Sequence, residues 1–514
     1  MKNNEKEKPF IQFQTPGGNR YIYDRNHSST LLSHPILSFF LNLEKTGTSI
    51  HQWIAELGDN PVSIDPIGSV PTSGILYYYN KYLFLKEAGL LSHQSPGYRL
   101  TRPFTAKDIH SSLANTRQVT LEVTDNCNLN CEYCGYGKFY RSYDKRDNKN
   151  LPVETAQHLL SFLFNYWNSP GNTSFQRNIF ISFYGGEPLL NMPFIKEITR
   201  FIEESDTSRS RFSFSMTTNA LLLEKYMDFL VEHDFHLLIS LDGNENNNAY
   251  RITKNSEPAY PLILKNIEAL RNRFPDYFQK KVNFNAVLHN KNSVSDIHRY
   301  FKENFDKSPS IAELNTTNID EIQKDEFWKT YSNLQESLYQ AEDYSLIEKE
   351  MFLKLPTLQT LGIFLHRFSG WVHNTYKDLH ASTAVKPERH PTGTCVPFSR
   401  KIFLTVNGKI LPCERINQKF GLGTIDENGV HLDLEEIAQR YNRYFEKMIR
   451  LCSNCYNIEA CSQCIFNLDI DENHPTCNGF MTEKDFAAFF SSCVSYLETH
   501  PRFYHQMMNE VVID

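Results

Sequence analysis

Residues 118–134 read QVTLEVTDNCNLNCEYC, and the reading of this stretch decides the fold. Its first seven positions, Gln118 to Thr124, form a short run rich in β-branched and apolar residues and predict a strand. Three cysteines follow at once, as Cys127-x3-Cys131-x2-Cys134, on a loop at the strand's C-terminal end. The same rhythm then repeats downstream. Strand-like runs stand at 179–183, 211–216, 236–241, 282–288 and 310–314, with helical patterns between them. Pro193 to Glu204 places Ile195, Ile198, Phe201 and Ile202 at helical spacing, and Pro261 to Leu270 does the same with Leu262, Ile263, Ile267 and Leu270. Alternating strand and helix predicts an α/β fold with a parallel sheet and crossover helices. Six such units make a partial (β/α)6 barrel, with the active site at the C-terminal strand ends.

The remainder of the chain is built around this core. At 514 residues it exceeds one typical domain of roughly 100–200 residues. Residues 1–110 mix short strands with helical patterns at Ile36 to Leu43 and Leu76 to Leu85, the second ending at Ala88-Gly89. They predict a small α+β, winged-helix-like module. The core spans 111–320, and 138–150 within it reads as a charged, solvated loop. Residues 321–390 form a helical bridge to a cysteine-rich end, 391–514. That end opens on a hairpin cue, KIFLTV and KILP flanking Asn407-Gly408. The content of 37 Phe and 27 Tyr argues against disorder. A net charge of -7 without a long Lys/Arg run argues against nucleic acid. The polar N-terminus and the absence of a run of about 18 apolar residues predict a cytoplasmic protein without membrane contact.

The eleven cysteines are unevenly placed: three at 127–134, none from 135 to 394, and eight from Cys395 to Cys493. Clustered cysteines in a reducing compartment point to metal or redox chemistry. Three thiolates within eight residues suit a four-iron cluster with one iron left open, since a cubane takes four ligands. A zinc knuckle is the blander alternative. The later group runs Cys395, Cys413, Cys452-x2-Cys455-x5-Cys461-x2-Cys464, Cys477 and Cys493, and its spacing alone does not separate zinc from iron.

CNLNCEYC resembles the radical S-adenosylmethionine (SAM) motif, Cys-x3-Cys-x-aromatic-Cys. The resemblance implies a [4Fe-4S] cluster on Cys127, Cys131 and Cys134 whose open iron binds SAM, and cleavage of SAM to a 5′-deoxyadenosyl radical. Tyr184-Gly185-Gly186-Glu187-Pro188, after the second strand, is similar to the GGEP segment that meets the SAM amino group. Glycine there allows close backbone approach. Thr218 and Asn219, and Ser240 and Asp242, stand at strand ends that in similar enzymes touch the ribose and carboxylate of SAM, and Arg251 follows where a carboxylate partner often lies. Asn219 and Asp242 are equally suited to initiating turns.

The C-terminal array resembles the SPASM domain of radical SAM peptide maturases, related to anaerobic sulfatase-maturating enzymes. By ligand order, Cys395, Cys413 and Cys464 serve a first auxiliary [4Fe-4S] cluster. Cys452, Cys455, Cys461 and Cys477 serve a second. Two departures stand out. Two residues rather than three separate Cys461 from Cys464, and no close match exists for an additional ligand after Cys395. Cys493 is left over, as a buried thiol. Glu414 matches the position of an acidic residue that acts as a base in sulfatase-maturing relatives; a solvated carboxylate is the alternative.

These resemblances imply an oxidoreductase that modifies a ribosomally synthesised peptide, closing an intrapeptide thioether or carbon–carbon crosslink. Its partners would be a precursor peptide, held at a sheet edge of residues 8–92, and a low-potential electron donor such as a flavodoxin or ferredoxin. Formylglycine generation on a sulfatase is the alternative activity. A non-catalytic metal-stabilised scaffold is the alternative of another class.

Overall fold

The computed structural model describes residues 9–91, 103–141, 143–174, 177–205, 209–351, 356–370, 390–468, 470 and 475–510. Fifteen strands are numbered in chain order. At the centre, β6 (Gln118–Thr124), β7 (Asn178–Gly185), β8 (Arg211–Thr218), β9 (His236–Ser240), β10 (Val282–Val287) and β11 (Ser310–Ala312) pair in sequence order, every pair parallel. Helices between them bury amphipathic faces: Met192–Glu203 buries Ile195, Ile198 and Ile202, and Val294–Phe305 buries Ile297 and Phe301. One face of each strand is apolar and packs on these helices, as Val119, Leu121 and Val123 of β6 do with Ile181 and Phe183 of β7. The other face mixes polar residues such as Gln118, Ser182 and Ser215 with Phe180, Tyr184 and Leu238.

The six predicted strands are all present, and the sheet is larger than six. The Asn407-Gly408 hairpin forms β12 (Ile402–Leu404) and β13 (Lys409–Leu411), and β14 (Gly423–Asp426) and β15 (Gly429–His431) follow it antiparallel. Strand β12 pairs parallel with β6, Phe403 opposite Thr120. The cysteine-rich end therefore continues the core sheet to ten strands instead of forming a separate one. Of the predicted bridge, helices cover Lys324–Thr330, Leu334–Tyr339, Tyr344–Glu350 and Pro356–Arg367; residues 371–389 lie outside the described residues.

The N-terminal region has a three-stranded antiparallel sheet of β1 (Phe10–Gln14), β2 (Arg20–Asp24) and β3 (Ser29–Ser33). The helices Pro35–Lys45, Ile50–Ala55 and Thr72–Glu87 and a hairpin of β4 (Val62–Ile64) and β5 (Gly68–Val70) complete it. This sheet has two dry faces. Phe10 and Ile22 pack in the module's own core with Phe40 and Ile75. Ile11, Phe13 and Tyr23 join the main core, where Tyr23 meets Phe368, Phe486 and Phe490. Among the described residues no helix is long and apolar enough to cross a membrane.

Candidate active site

Strand β6 ends at Thr124 and leads into the loop of Cys127, Cys131 and Cys134. One side of the loop is pinned by Asn130 N–H donating to Ile252 O (2.8 Å) and Glu132 N–H to Tyr250 O (3.2 Å). The other is held by the end of β7, where Gly186 N–H donates to Thr124 O (2.8 Å) and Glu187 N–H to Asn126 O (2.9 Å). Both glycines are required by this contact. Gly185 has a φ of +133°, and a Cβ on it would lie 2.2 Å from Thr124 O; a Cβ on Gly186 would lie 1.9 Å from Asn126 O. The sequence pointed to close approach of a ligand. What the glycines admit here is the backbone of the cysteine loop itself.

Behind the loop, Glu187 is buried and accepts from Thr218 Oγ1 (2.7 Å), Asn219 N–H (2.8 Å) and Leu189 N–H (3.1 Å). Burial pushes its carboxyl up to about 7 against the pull of these bonds. Pro188 opens the short turn Pro188–Asn191, and Asn219 donates to Asn128 Oδ1 (2.7 Å) with its amide 3.8 Å from Cys127 Sγ. Asn219 thus braces the cysteine loop rather than simply initiating a turn.

A second brace crosses the loop at Tyr133, whose hydroxyl donates to Asp242. Arg251 grips the same carboxylate with two bonds, Nε to Oδ2 (3.0 Å) and Nη2 to Oδ1 (2.9 Å), and Val287 N–H adds a third (2.9 Å). Asp242 is 0 % and Arg251 6 % exposed. Burial pushes the Asp242 carboxyl up, but Arg251, His289 and Tyr133 outweigh it and hold it below the usual carboxylate range. The aromatic of the cysteine motif is therefore anchored to a bidentate ion pair. Ser240 ends β9 beside Asn285.

This mixed face of the strands encloses a cavity of about 310 Å³, lined by Gln118, Ser182, Tyr184, Ser215, Lys401 and Glu414 among others. Gln118 Nε2 donates to Ser182 Oγ (2.7 Å), which lies 2.6 Å from Ser215 Oγ. Most barrel interiors are filled by branched apolar side chains; this one keeps a cavity whose walls mix Gln118, Ser182 and Ser215 with Tyr184 and Leu238. The signal was present in the alternation of QVTLEVT and RFSFSM, and sequence reading passed over it. Gln118 and Lys401 also line a larger cavity of about 1040 Å³ that reaches Cys395, Cys413 and Cys464. Glu414 lines the smaller cavity and is neither solvated nor free: Lys401 Nζ holds both its oxygens at 2.8 and 2.9 Å. Burial raises its carboxyl, and Lys401 more than reverses that, so it stays ionised. Lys401 was not singled out from sequence, because nothing local marks a lysine thirteen residues from its partner.

All eleven cysteines are free thiols, and they fall into separate groups. Burial pushes the Cys131 thiol up to about 12; Arg251 opposes this, and Cys134 and Cys127 add to it. Burial likewise pushes Cys452 up to about 12, with Cys461, Cys455 and Cys477 adding to it and a backbone bond at Thr392 opposing. Cys464 is raised by burial and by Cys395, and buried Tyr441 feels Cys464, Cys395 and Cys413 together. Cys493 is buried in the helix Glu483–Thr499, raised by burial alone. Thiols thus act on one another in sets of three, four and three, and burial disfavours the charged form of Cys127, Cys131, Cys413, Cys452, Cys455, Cys461 and Cys464. Among the described residues no three His, Cys, Asp or Glu side chains converge as ligands of a single ion do. Thiolates at the corners of a cluster need not converge, so the donor sets fit [4Fe-4S] clusters.

The family model of the Radical SAM superfamily matches residues 121–303, from within β6 through the helix Val294–Phe305. The chain carries a radical SAM domain. Its relatives include the radical SAM cyclopropyl synthase TigE of Paramaledivibacter caminithermalis, 23% identical over 68% of this chain and 66% of TigE. They also include the serine-type anaerobic sulfatase-maturating enzyme of Bacteroides thetaiotaomicron, 25% identical over 34% of this chain and 41% of that enzyme. Across the first curated relatives that it matches, the chain spans 41% to 66% of their length. A solved structure, native anSMEcpe with bound AdoMet and Kp18Cys peptide, aligns with a TM-score of 0.52 at 17% identity over 77% of this chain and 99% of that one. That likeness is one of fold, over 77% of this chain.

Proposed function

We propose that this chain is a radical SAM oxidoreductase that modifies a ribosomally synthesised peptide by closing a thioether or carbon–carbon bond within it. The observation that carries the reading is the pair of cavities meeting at Gln118 and Lys401: one lies inside the strands of the sheet that carries the first cysteine loop, the other against Cys395, Cys413 and Cys464. In this reading Cys127, Cys131 and Cys134 hold the catalytic cluster. Tyr184 to Pro188, Thr218, Asn219, Ser240, Asp242 and Arg251 shape the SAM side of the site. Cys395, Cys413 and Cys464 hold one auxiliary cluster, and Cys452, Cys455, Cys461 and Cys477 the other.

Cluster and SAM together supply a radical able to take hydrogen from an unactivated carbon. The protein's part is positioning. Gln118, Ser182 and Ser215 offer hydrogen bonds to a backbone threaded into the inner cavity, Tyr184 closes one wall, and the strand walls keep bulk water away. Glu414, ionised beside Lys401, accepts the proton that a substrate group gives up as the new bond forms, and Cys395, Cys413 and Cys464 would hold a cluster able to take up the electron released with it. Two relatives support the chemistry: TigE by its name makes a cyclopropyl group, and the sulfatase-maturating enzyme acts on a polypeptide.

The N-terminal module supports a peptide partner. In β3 Leu32 is 68 % exposed, and the helix Thr72–Glu87 presents Leu76, Tyr77, Leu83 and Phe84 on one exposed stripe. His34, just past β3, stacks on Tyr78 of that helix at 4.0 Å. A leader segment would pair along the outer edge of β3 and lay apolar side chains on this stripe. Thr30 is already engaged with Ser369 and Phe368, which limits the pairing to Leu31–Ser33 and beyond. Oxidation of a sulfatase Cys or Ser is the second reading, favoured by the same Glu414.

The test is anaerobic reconstitution with iron and sulfide, reduction by dithionite, and assay of 5′-deoxyadenosine from SAM. A short peptide encoded beside this chain's gene is then added and weighed. About twelve irons per chain, deoxyadenosine, and a peptide lighter by two hydrogens are expected. Deoxyadenosine with formylglycine on a sulfatase peptide would favour the second reading. Zinc in place of iron and no deoxyadenosine would leave a metal-stabilised scaffold.

A further inference from the structure

The chain carries more acid than base, 60 Asp and Glu against 53 Lys and Arg, and the larger cavity inverts that balance. Among the described residues its wall holds five cations, Arg117, Arg367, Arg400, Lys401 and Arg415, and a single carboxylate, Glu459. That carboxylate is buried and already accepts from Ser28 Oγ at 2.6 Å. Lys401 is engaged with Glu414. Arg415 comes no closer than 4.0 Å to the same Glu414 and leaves 85 % of its side chain exposed. Arg367 and Arg400 are exposed, and among the described residues no hydrogen bond or ion pair holds either. The pairing of β12 with β6 gathers part of this charge. Ile402 stands opposite Val119, so Arg400 and Arg117, two residues before each, stand side by side where the two strands begin. Like charges on neighbouring strands repel, a cost that an anionic ligand in the cavity would relieve. Tyr441 lines the same cavity, 0 % exposed, and its hydroxyl has no hydrogen-bond partner among the described residues. A buried hydroxyl without a partner is costly, and an anionic oxygen would supply one.

We infer that the larger cavity receives an acidic stretch of the peptide, with Arg367, Arg400 and Arg415 meeting the side-chain carboxylates of its Asp or Glu residues. This rests on reading the paired cavities as a peptide site. Gln118 and Lys401 line both cavities, so residues beside the acidic stretch reach the inner one, where Ser182 and Ser215 stand. A guanidinium suits the task, because its planar fork meets a carboxylate by two parallel hydrogen bonds. On a chain that is acidic overall, a local patch of the opposite sign both draws an acidic segment in and fixes its register. The three arginines thereby select which part of the peptide enters the inner cavity. They determine specificity and take no part in the bond-forming step.

The test is fluorescence anisotropy on the reconstituted full-length protein, with a labelled Glu-Ala-Gly peptide whose C-terminus is amidated. One twin carries Gln for every Glu, and a second twin carries Gln with a free C-terminus. At low salt the Glu peptide is expected to bind about tenfold tighter than the amidated Gln twin, the sum of a few exposed ion pairs. The gap should close as salt rises to about 0.5 M. Arg367→Glu, Arg400→Glu should erase the preference while iron content and the auxiliary EPR signals stay as they were. Equal binding of the Glu and amidated Gln peptides, or binding of neither, would overturn the inference. A free-ended Gln twin that matches the Glu peptide would also overturn it, by assigning the cavity to a chain terminus. So would a preference that survives Arg367→Glu, Arg400→Glu, and lost iron or altered EPR signals beside that surviving preference would give the arginines to the metal site instead. None of these readings needs turnover, so they stand apart from the test of the maturase reading, which fails if SAM yields no deoxyadenosine.

Discussion

The two cysteine-rich regions are built in opposite ways. The first loop is braced by its immediate neighbours in the sheet: Gly186 and Glu187 from β7, Asn219 from the end of β8, and Asp242 and Arg251 from beyond β9. All of these but Arg251 stand within two residues of a strand end, so a single parallel sheet positions most of the site. Apart from Cys452 and Cys493, which lie on helices, the C-terminal cysteines sit on turns and loops, and several of their supports come from far away in sequence: Thr392 at Cys452 and, from the other end of the chain, Arg25 and Ser28. A site at strand ends inherits its rigidity from the sheet. A site on loops borrows it from whatever packs on top.

The hardest blow to this contrast is Gly186→Ala. Its Cβ would meet Asn126 O at 1.9 Å, backbone against backbone, and the loop cannot yield without losing its β7 contact. SAM cleavage should fall by two orders of magnitude or more, on the scale of about 10²-fold or greater for an ångström of misplacement. Iron on the C-terminal cysteines should stay. Loss of iron from both regions would show that they are not independently built.

Arg251→Met cuts the brace at Tyr133. It leaves Asp242 buried and unpaired, which costs about 3–5 kcal/mol, measurable by urea unfolding at neutral pH. Adding Asp242→Asn should return a good part of this, because the stranded charge is gone. A loss below about 1 kcal/mol, the size of a surface pair, would mean that the brace is not structural.

The smallest effect lies on the seam between the regions. Glu122 of β6, 2 % exposed, accepts from Val406 N–H just past β12 at 3.0 Å. Burial pushes its carboxyl up to about 7, with Val406 and Arg146 opposing. The folded protein therefore holds this proton more tightly than the unfolded chain, whose carboxyl titrates near 4.5. Its contribution to stability is complete below that value and drains away as pH climbs to about 7, by roughly 2–3 kcal/mol at most. Glu122→Gln should flatten that slope between pH 4.5 and 7 in thermal or urea unfolding. A slope as steep as in the unaltered protein would place the titration elsewhere.

What could be read from sequence follows the same division. The six strands and the spacing of the first three cysteines are local patterns, and so is Asn407-Gly408, whose turn geometry is carried by two residues. The polar part of the lumen was also legible, since period-two alternation separates Gln118, Ser182 and Ser215 from Val119, Ile181 and Phe214. It was overlooked because an apolar run draws the eye to the buried face. The parallel pairing of β12 with β6 was not legible, because strand register across hundreds of residues leaves no local trace. Nor was Arg25 against Tyr456: an arginine in a turn reads as solvated until the other end of the chain covers it.

That pairing has a consequence for the chain as it is made. Strand β6 gains β7 early, but its other edge waits for β12, Thr120 for Phe403, about 280 residues later; at roughly 5–20 residues per second this is about 15–60 seconds of synthesis. Through that interval a nascent β6 presents unpaired amides and carbonyls to anything extended nearby. The emerging polypeptide needs a shield over that edge, from the ribosome surface, a chaperone, or its own N-terminal residues, before the last strands arrive to seal it.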